Sequence, residues 1–242
     1  MPKLAALIAA AGMGSRSGLK FPKTLFLIKN RSILSRIFNA IHKFDSKPTI
    51  IASPYGHGLI KEHINSLNLN AYFAIQQSPK GMGDAVLQMR SSQAYFKAGH
   101  ILLIWGDIPF LQQETLNKLI DYHFEHNNDF TFPTLQTESA YTIVQRDKHH
   151  QVKKVIETRE NLNFKVESGE RDIGVFLFKK DLIFNILNED LSNKYSQATK
   201  EHGFLYIIEH LVDRGYKVEA LSCATALDSV SLNSIKDVSE YL

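Results

Sequence analysis

A short apolar run, Leu4-Ala5-Ala6-Leu7-Ile8, empties directly into the segment AAAGMGSRSGLKFPK spanning residues 9–23. A continuous apolar run of this length predicts a strand buried on both faces, as in a parallel sheet. The glycines that follow it predict a loop leaving the carboxyl end of that strand. Gly12 and Gly14 can take positive φ and admit close approach of a ligand to the backbone, with successive N–H groups turned toward phosphate. Arg16 and Lys23 add two positive charges, and Pro22 stiffens the chain where the lysine leaves the loop. Such a loop is equipped to hold a polyphosphate.

Two common phosphate-binding signatures are excluded. A P-loop needs Gly-Lys-Ser/Thr at the end of the glycine run, which is missing. A dinucleotide-binding turn needs a third glycine where Ser17 stands, and an acid after the second strand, where Ala52 gives way to Ser53. A Gly-Ser-Arg…Pro-Lys loop remains.

Strand-like and helix-like patterns alternate through the first half. Ile33, Leu34, Ile37, Phe38 and Ile41 share a helical face; 49–52, 71–75 and 100–105 are predicted strands; 58–66, 84–97 and 113–126 are predicted helices. This alternation predicts an α/β fold with a doubly wound, mostly parallel sheet and ligands at the carboxyl ends of its strands. The second half has strands in quick succession, at 130–134, 141–145, 152–157 and 172–178, with a polar turn at 167–170. Helices are predicted at 180–187 and 204–214 and a strand at 218–222. The expectation is one domain over 1–242, with a nucleotide-binding half (about 1–128) and a β-rich acceptor-binding lobe (about 129–242).

The net charge of +3 is small, and no basic run or arginine–aromatic alternation points to nucleic acid. The single cysteine excludes an internal disulfide and a cysteine-based zinc site. With no cationic leader pattern and no apolar run near the roughly 18 residues of a membrane span, a soluble cytoplasmic protein is expected. Self-association is left open. His123 and His126, three residues apart, read as a solvated helix face without a third metal ligand, and His149-His150 as an exposed hairpin turn.

Chemistry concentrates at three further places. Asp107 follows the strand ending in Trp105-Gly106. It suits either a turn aspartate capping the helix near Gln113 or a magnesium ligand beside substrate phosphates. The run Ser78-Pro79-Lys80-Gly81-Met82-Gly83 is a second glycine-rich turn, preceded by Gln76, whose amide could read a base edge. Asn233 offers a neutral amide oxygen to the same cation as Asp107.

These motifs together resemble the nucleotidyltransferase (sugar-phosphate pyrophosphorylase-like) superfamily, and within it the uridylyltransferase domains of bacterial N-acetylglucosamine-1-phosphate uridylyltransferases. The Ala-Ala-Gly-x-Gly-Ser-Arg…Pro-Lys loop, Gln76…Gly81-x-Gly83-x-Ala85 and Trp105-Gly106-Asp107-x-Pro109 carry the resemblance. It extends weakly through Val155-Ile156-Glu157, Asp172-x-Gly174, Glu201 and Leu232-Asn233. The resemblance implies that Ala10, Ala11, Gly12, Gly14 and Ser15 hold the nucleotide's phosphates, with Arg16 and Lys23 as catalytic cations. It implies further that Gln76 and Gly81 hold the base, that Glu157 and Asp172 face the acceptor, and that Asp107 and Asn233 bind Mg²⁺. The implied partners are a nucleoside triphosphate, with UTP expected, and a phosphorylated small-molecule acceptor, a sugar 1-phosphate first. Cytidylyl- or guanylyltransferases of other phosphorylated acceptors share the loop, and a catalytically silent nucleotide-binding domain is the rival reading.

The chain departs from the family pattern at several positions. Met82 replaces a threonine beside the nucleotide, Asp172 replaces an asparagine, and Thr142 stands near a usual glycine. The family's Glu-Tyr-Tyr-x-Thr becomes Glu201-His202-Gly203-Phe204-Leu205, removing two expected sugar contacts. The hexapeptide-repeat acetyltransferase domain is absent from this sequence, so acetyl transfer is not expected. The nucleotide half thus matches better than the acceptor half.

Overall fold

The computed structural model describes residues 3–12, 18–138, 140–158 and 168–242. Strand β1 (Leu4–Ala9) lies in the middle of an eight-stranded sheet, parallel to β6 (His100–Trp105) on one side and β4 (Thr49–Ala52) on the other. Beyond β4, β5 (Tyr72–Ile75) continues the parallel arrangement. On the β6 side the direction reverses: β11 (Val175–Lys179) runs antiparallel to β6 and to β7 (Phe130–Thr137). β10 (Gly169–Asp172) and β12 (Val218–Ser222) also pair with β7, the first antiparallel and the second parallel. The sheet is therefore mixed and largely parallel at its centre.

Alternation of side chains across the pleat divides the core into two layers. Leu7, Leu103, Phe176 and Phe178 face one side. There they meet α3 (Met82–Gln88), α6 (Lys180–Asn188) and α7 (Ile207–Asp213), around a cluster of rings formed by Phe130, Phe132, Phe176, Phe178 and Phe204. Ile8, Leu102, Ile104 and Leu177 face the other side. They pack on α1 (Ile33–Ile41), α2 (Pro54–Ser66) and α5 (Gln113–Glu125). Helices α1 and α2 start where the sequence offers caps: Ser32 Oγ accepts from Ser35 N at 3.0 Å and Ser53 Oγ from Gly56 N at 3.0 Å, with Pro54 at the first helical position.

Several expectations are corrected. The helix expected over 84–97 starts at Met82 and breaks: α3 gives way to a 3₁₀ turn at Met89–Ser91, after which Ser92 caps the short helix α4 (Gln93–Lys97). Helix α2 begins four residues before its expected start because Ser53-Pro54 is a stronger start signal than Gly58. Helix α7 begins only at Ile207. The strand expected over 172–178 is split at Ile173-Gly174, and the turn expected at 167–170 is partly strand. Gly174 forces the split. Its φ is +75°, and a Cβ there would lie 2.7 Å from the Trp105 ring, whose backbone N–H bonds Gly174 O at 2.9 Å. The second-half strands β7, β10, β11 and β12 are built onto the main sheet, and among the described second-half strands the hairpin of β8 (Thr142–Arg146) and β9 (Val152–Glu157) stands apart from it. A small ribbon, β2 (Leu27–Ile28) with β3 (Arg31–Ser32), was not anticipated.

Candidate active site

The carboxyl ends of β1, β5 and β6 carry the residues of interest, because parallel strands deliver their exits to one edge. At the end of β1, Ala10 is buried and its N–H donates to Ile51 O at 2.8 Å, so this amide is already engaged by the sheet. Ala11 packs partly against the core. Gly12 opens outward: a Cβ there would meet nothing within 4 Å, and its φ lies outside the left-handed region. It borders a cavity of about 270 Å³ lined also by Leu19, Lys20, Pro22, Ser53 and Tyr55. Gly14, Ser15 and Arg16 lie outside the described residues.

Lys23 begins a 3₁₀ turn directly after Pro22, and its Nζ stands 3.7 Å from Asp107 Oδ2. Both side chains are partly exposed, at 13% and 24%, so neither charge is sealed from a ligand. Asp107 reaches this position because Gly106 lets the chain cross the end of β1: Gly106 N–H bonds Ala9 O at 2.9 Å, where a Cβ would lie 2.7 Å from the same oxygen.

The start of α5 has no side-chain cap from its own N-cap residue. Its polar support comes from the far end of the chain, with Asp228 accepting from Gln112 N at 2.7 Å and from Thr115 Oγ1 at 2.8 Å. The helix-capping reading of Asp107 therefore loses its place to Asp228. The same C-terminal segment brings Asn233 near, since Leu232 N–H donates to Asp107 O at 2.9 Å. Asn233 is oriented by its own amide nitrogen, which donates to Ser231 Oγ at 3.0 Å. Lys23 thus meets the Asp107 side chain, and the residue before Asn233 meets the Asp107 backbone, from three distant parts of the sequence. Among the described residues no cluster of three or more His, Cys, Asp or Glu could hold a metal by itself.

Gln76, at the exit of β5, is buried. Its Nε2 donates to Gly81 O at 2.9 Å and to Asp84 Oδ2 at 2.8 Å, which fixes the amide orientation because both partners are acceptors. Gly81 precedes α3 with φ +98°, a conformation only glycine adopts without strain. Asp84 was not singled out from the sequence; an acid in the first turn of a helix is ordinary there, and only the fold aims it at Gln76.

In the second half, Thr142 of β8 lies opposite Glu157 of β9. Thr142 Oγ1 donates to Asp172 Oδ2 at 2.6 Å, and Asp172 Oδ1 accepts from Gly174 N at 2.8 Å. Burial pushes the Asp172 carboxyl above the usual range, against the pull of these two bonds. Asp172 is thus engaged locally, and Thr142 links it to the Glu157 strand. His123 corrects the solvated-face expectation: it is fully buried, bonded to His100 and Thr131, and only His126 is exposed. His149-His150 is exposed as expected.

The sequence model of the MobA-like NTP transferase domain matches residues 6–181, from the third residue of β1 through the start of α6. The chain belongs to this NTP transferase family. Curated relatives agree: "Bifunctional protein GlmU" of Prochlorococcus marinus (strain NATL2A) is 31% identical over 196 residues, covering 80% of this chain and 43% of that protein. The protein of the same name from Enterococcus faecalis is 29% identical over 232 residues, covering 94% and 49%. The chain thus spans about half the length of the curated relatives it matches. Among solved structures, a UDP-glucose pyrophosphorylase complexed with UDP-glucose superposes with a TM-score of 0.73 at 16% identity, over 100% of this chain and 97% of that one. The inositol-1-phosphate CTP transferase from T. maritima gives 0.68 at 15% identity, over 91% and 85%. Both share the fold. No helix among the described residues is long and apolar enough to cross a membrane.

Proposed function

We propose that this NTP transferase moves a nucleotidyl group from UTP to a sugar 1-phosphate, with Mg²⁺, releasing pyrophosphate and forming an NDP-sugar. The observation that carries the reading is Lys23 Nζ at 3.7 Å from Asp107 Oδ2 at the strand exits. A phosphate oxygen of the acceptor attacks the α-phosphorus, and the bond to the β-phosphate oxygen breaks as pyrophosphate departs. The attacking phosphate is anionic near neutral pH, so no general base is required. Lys23, with Arg16 from the glycine loop, neutralises the charge that grows on the phosphates.

The donor set suits magnesium. Asp107 supplies a carboxylate and Asn233 an amide oxygen, both hard donors, and Mg²⁺ commonly completes its shell with substrate phosphates and water. When bound there, the ion would supply further neutralisation of the triphosphate. The glycine loop from Ala11 through Gly12, Gly14 and Ser15 carries the phosphates, and Ala10, whose N–H is held by the sheet, anchors its start. Gln76 supports uracil: with both amide hydrogens engaged, its Oε1 is an acceptor for the imide N–H of that base. We assign the acceptor's hydroxyls to Glu157, with Asp172 fixing Thr142 beside it. The whole chain from 1 to 242 acts as one catalytic domain in this reading.

Pyrophosphate release tests it, with UTP, CTP, GTP and ATP each crossed against hexose 1-phosphates, polyol phosphates and phosphocholine. Release is expected with UTP and a hexose 1-phosphate. Release confined to another pair would reassign the substrate. Nucleotide binding without release for any pair would leave a silent binding domain instead.

A further inference from the structure

The turn assigned to the base is held from behind by a segment of the second half. His202 N–H donates to Lys80 O at 2.7 Å, and Gly83 N–H donates to His202 O at 3.0 Å, so one residue pairs with both sides of the Gly81 turn. The approach is as close as backbone allows. A Cβ on Gly81 would lie 2.3 Å from His202 O, and one on Gly83 would lie 2.2 Å from Gly203 O. The segment is itself anchored on its other edge, where Gly203 N–H bonds Lys194 O at 2.8 Å and Ser196 N–H bonds Glu201 O at 2.9 Å.

The His202 side chain completes this brace. It is buried, its ring lies against the Gly83 position (Nε2 2.7 Å from where a Cβ would stand), and Nε2 meets Tyr206 Oη at 3.2 Å. Outside the brace lies a cavity of about 550 Å³, lined by Lys80, Asp84, Leu87, Lys194, Tyr195 and His202 among others. The outer side of the turn therefore rests on this segment. Burial keeps the His202 imidazole neutral, with its pKa pushed down to about 4 despite nearby Asp84. Its hydrogen-bond role is thus constant across the neutral range.

We propose that His202 is a positioning residue for nucleotide binding: wedged between Gly83 and Tyr206, it holds the Gly81 turn in its base-receiving geometry and ties that turn to the α6–α7 segment. This inference rests on the base site proposed above. Its consequence is that a residue in the half expected to serve the acceptor sets affinity for the nucleotide.

Calorimetric titration with UTP and steady-state kinetics on His202→Ala, His202→Gln and Tyr206→Phe test it. His202→Ala should weaken UTP binding about tenfold and raise KM for UTP in step, with kcat changed by less than about threefold. His202→Gln, whose amide can still meet Tyr206 Oη, should recover most of that loss, and Tyr206→Phe should weaken UTP about two- to threefold. Unchanged UTP affinity in His202→Ala overturns the proposal, as does a fall in kcat with KM untouched. If His202→Ala does not fold, Tyr206→Phe decides by the same criteria. Wild-type protein that binds none of the four triphosphates would remove the base site itself, a different failure.

Discussion

The two ends of β6 carry polar groups of opposite character. At the amino end, His100 Nδ1 meets His123 Nε2 at 2.9 Å and His123 Nδ1 meets Thr131 Oγ1 at 2.8 Å, all in the interior. Burial pushes both imidazoles down, His123 to about 3, so both are neutral, and His123 has a partner on each of its ring nitrogens. At the carboxyl end, Asp107 and Lys23 stand as opposite charges 3.7 Å apart with solvent still reaching them. A fold that merely needed to close a strand end could have used neutral groups there, as it does at the other end. Charges kept accessible at a parallel strand exit are suited to bind something charged.

That contrast can be broken experimentally, most sharply at the carboxyl end. Asp107→Asn should reduce pyrophosphate release by at least about a hundredfold while leaving the thermal melting curve close to wild type; retained turnover would remove Asp107 from the chemistry. Lys23→Ala should lower kcat/KM by about 10²–10³, the roughly 2.7–4 kcal/mol typical of losing one preorganised transition-state donor. Urea unfolding would show little change, since a partly exposed ion pair contributes at most about 1 kcal/mol.

The amino end should show the reverse pattern, with stability affected and chemistry spared. His123 has a folded pKa near 3 against 6.5 when unfolded, so the unfolded chain takes up a proton first as pH falls. Its contribution is fully present above 6.5 and declines below it, by at most about 1.4 kcal/mol per pH unit, toward the folded value. Urea midpoints measured from pH 7.5 to 4.5 should fall accordingly, and the fall should be shallower in His123→Gln. The smallest expected effect is at Asp228. Asp228→Ala should cost about 1–3 kcal/mol by urea unfolding, because it leaves polar groups at the start of α5 without their acceptor. A drop in activity larger than the loss of stability would show that this residue also supports the Asp107 end.

Much of the sheet was legible because its strands are buried on both faces and appear as unbroken apolar runs. The expected bounds of 49–52 and 100–105 coincide with β4 and β6 on that ground, and the alternating runs at 152–157 and 218–222 coincide with β9, outside the main sheet, and β12. Failures cluster where a distant contact decides. Nothing local in 172–178 tells that Gly174 must yield to the Trp105 ring. The period of three shared by His123 and His126 says nothing of β7, whose Thr131 takes one histidine into the core. In the site, Lys23, Asp107 and Asn233 could each be singled out by residue type and flanking pattern. Asp84 and His202 could not, because their partners, Gln76 and the Gly81 turn, are reached through the fold.

By itself the sequence determined which residues could carry charge, bend the backbone or fill a two-faced sheet, since these are properties of side chains and their immediate neighbours. The glycine loop after β1, the acid after β6 and the parallel central sheet follow from that. Tertiary structure alone decided which chemically capable groups meet, and which are absorbed by the fold. It placed Lys23 beside Asp107, gave the helix start to Asp228, engaged Asp172 with Thr142 and set His202 behind the Gly81 turn. The physical reason is that a hydrogen bond or ion pair depends on separation in space, and strands distant in sequence become neighbours only once the sheet has formed.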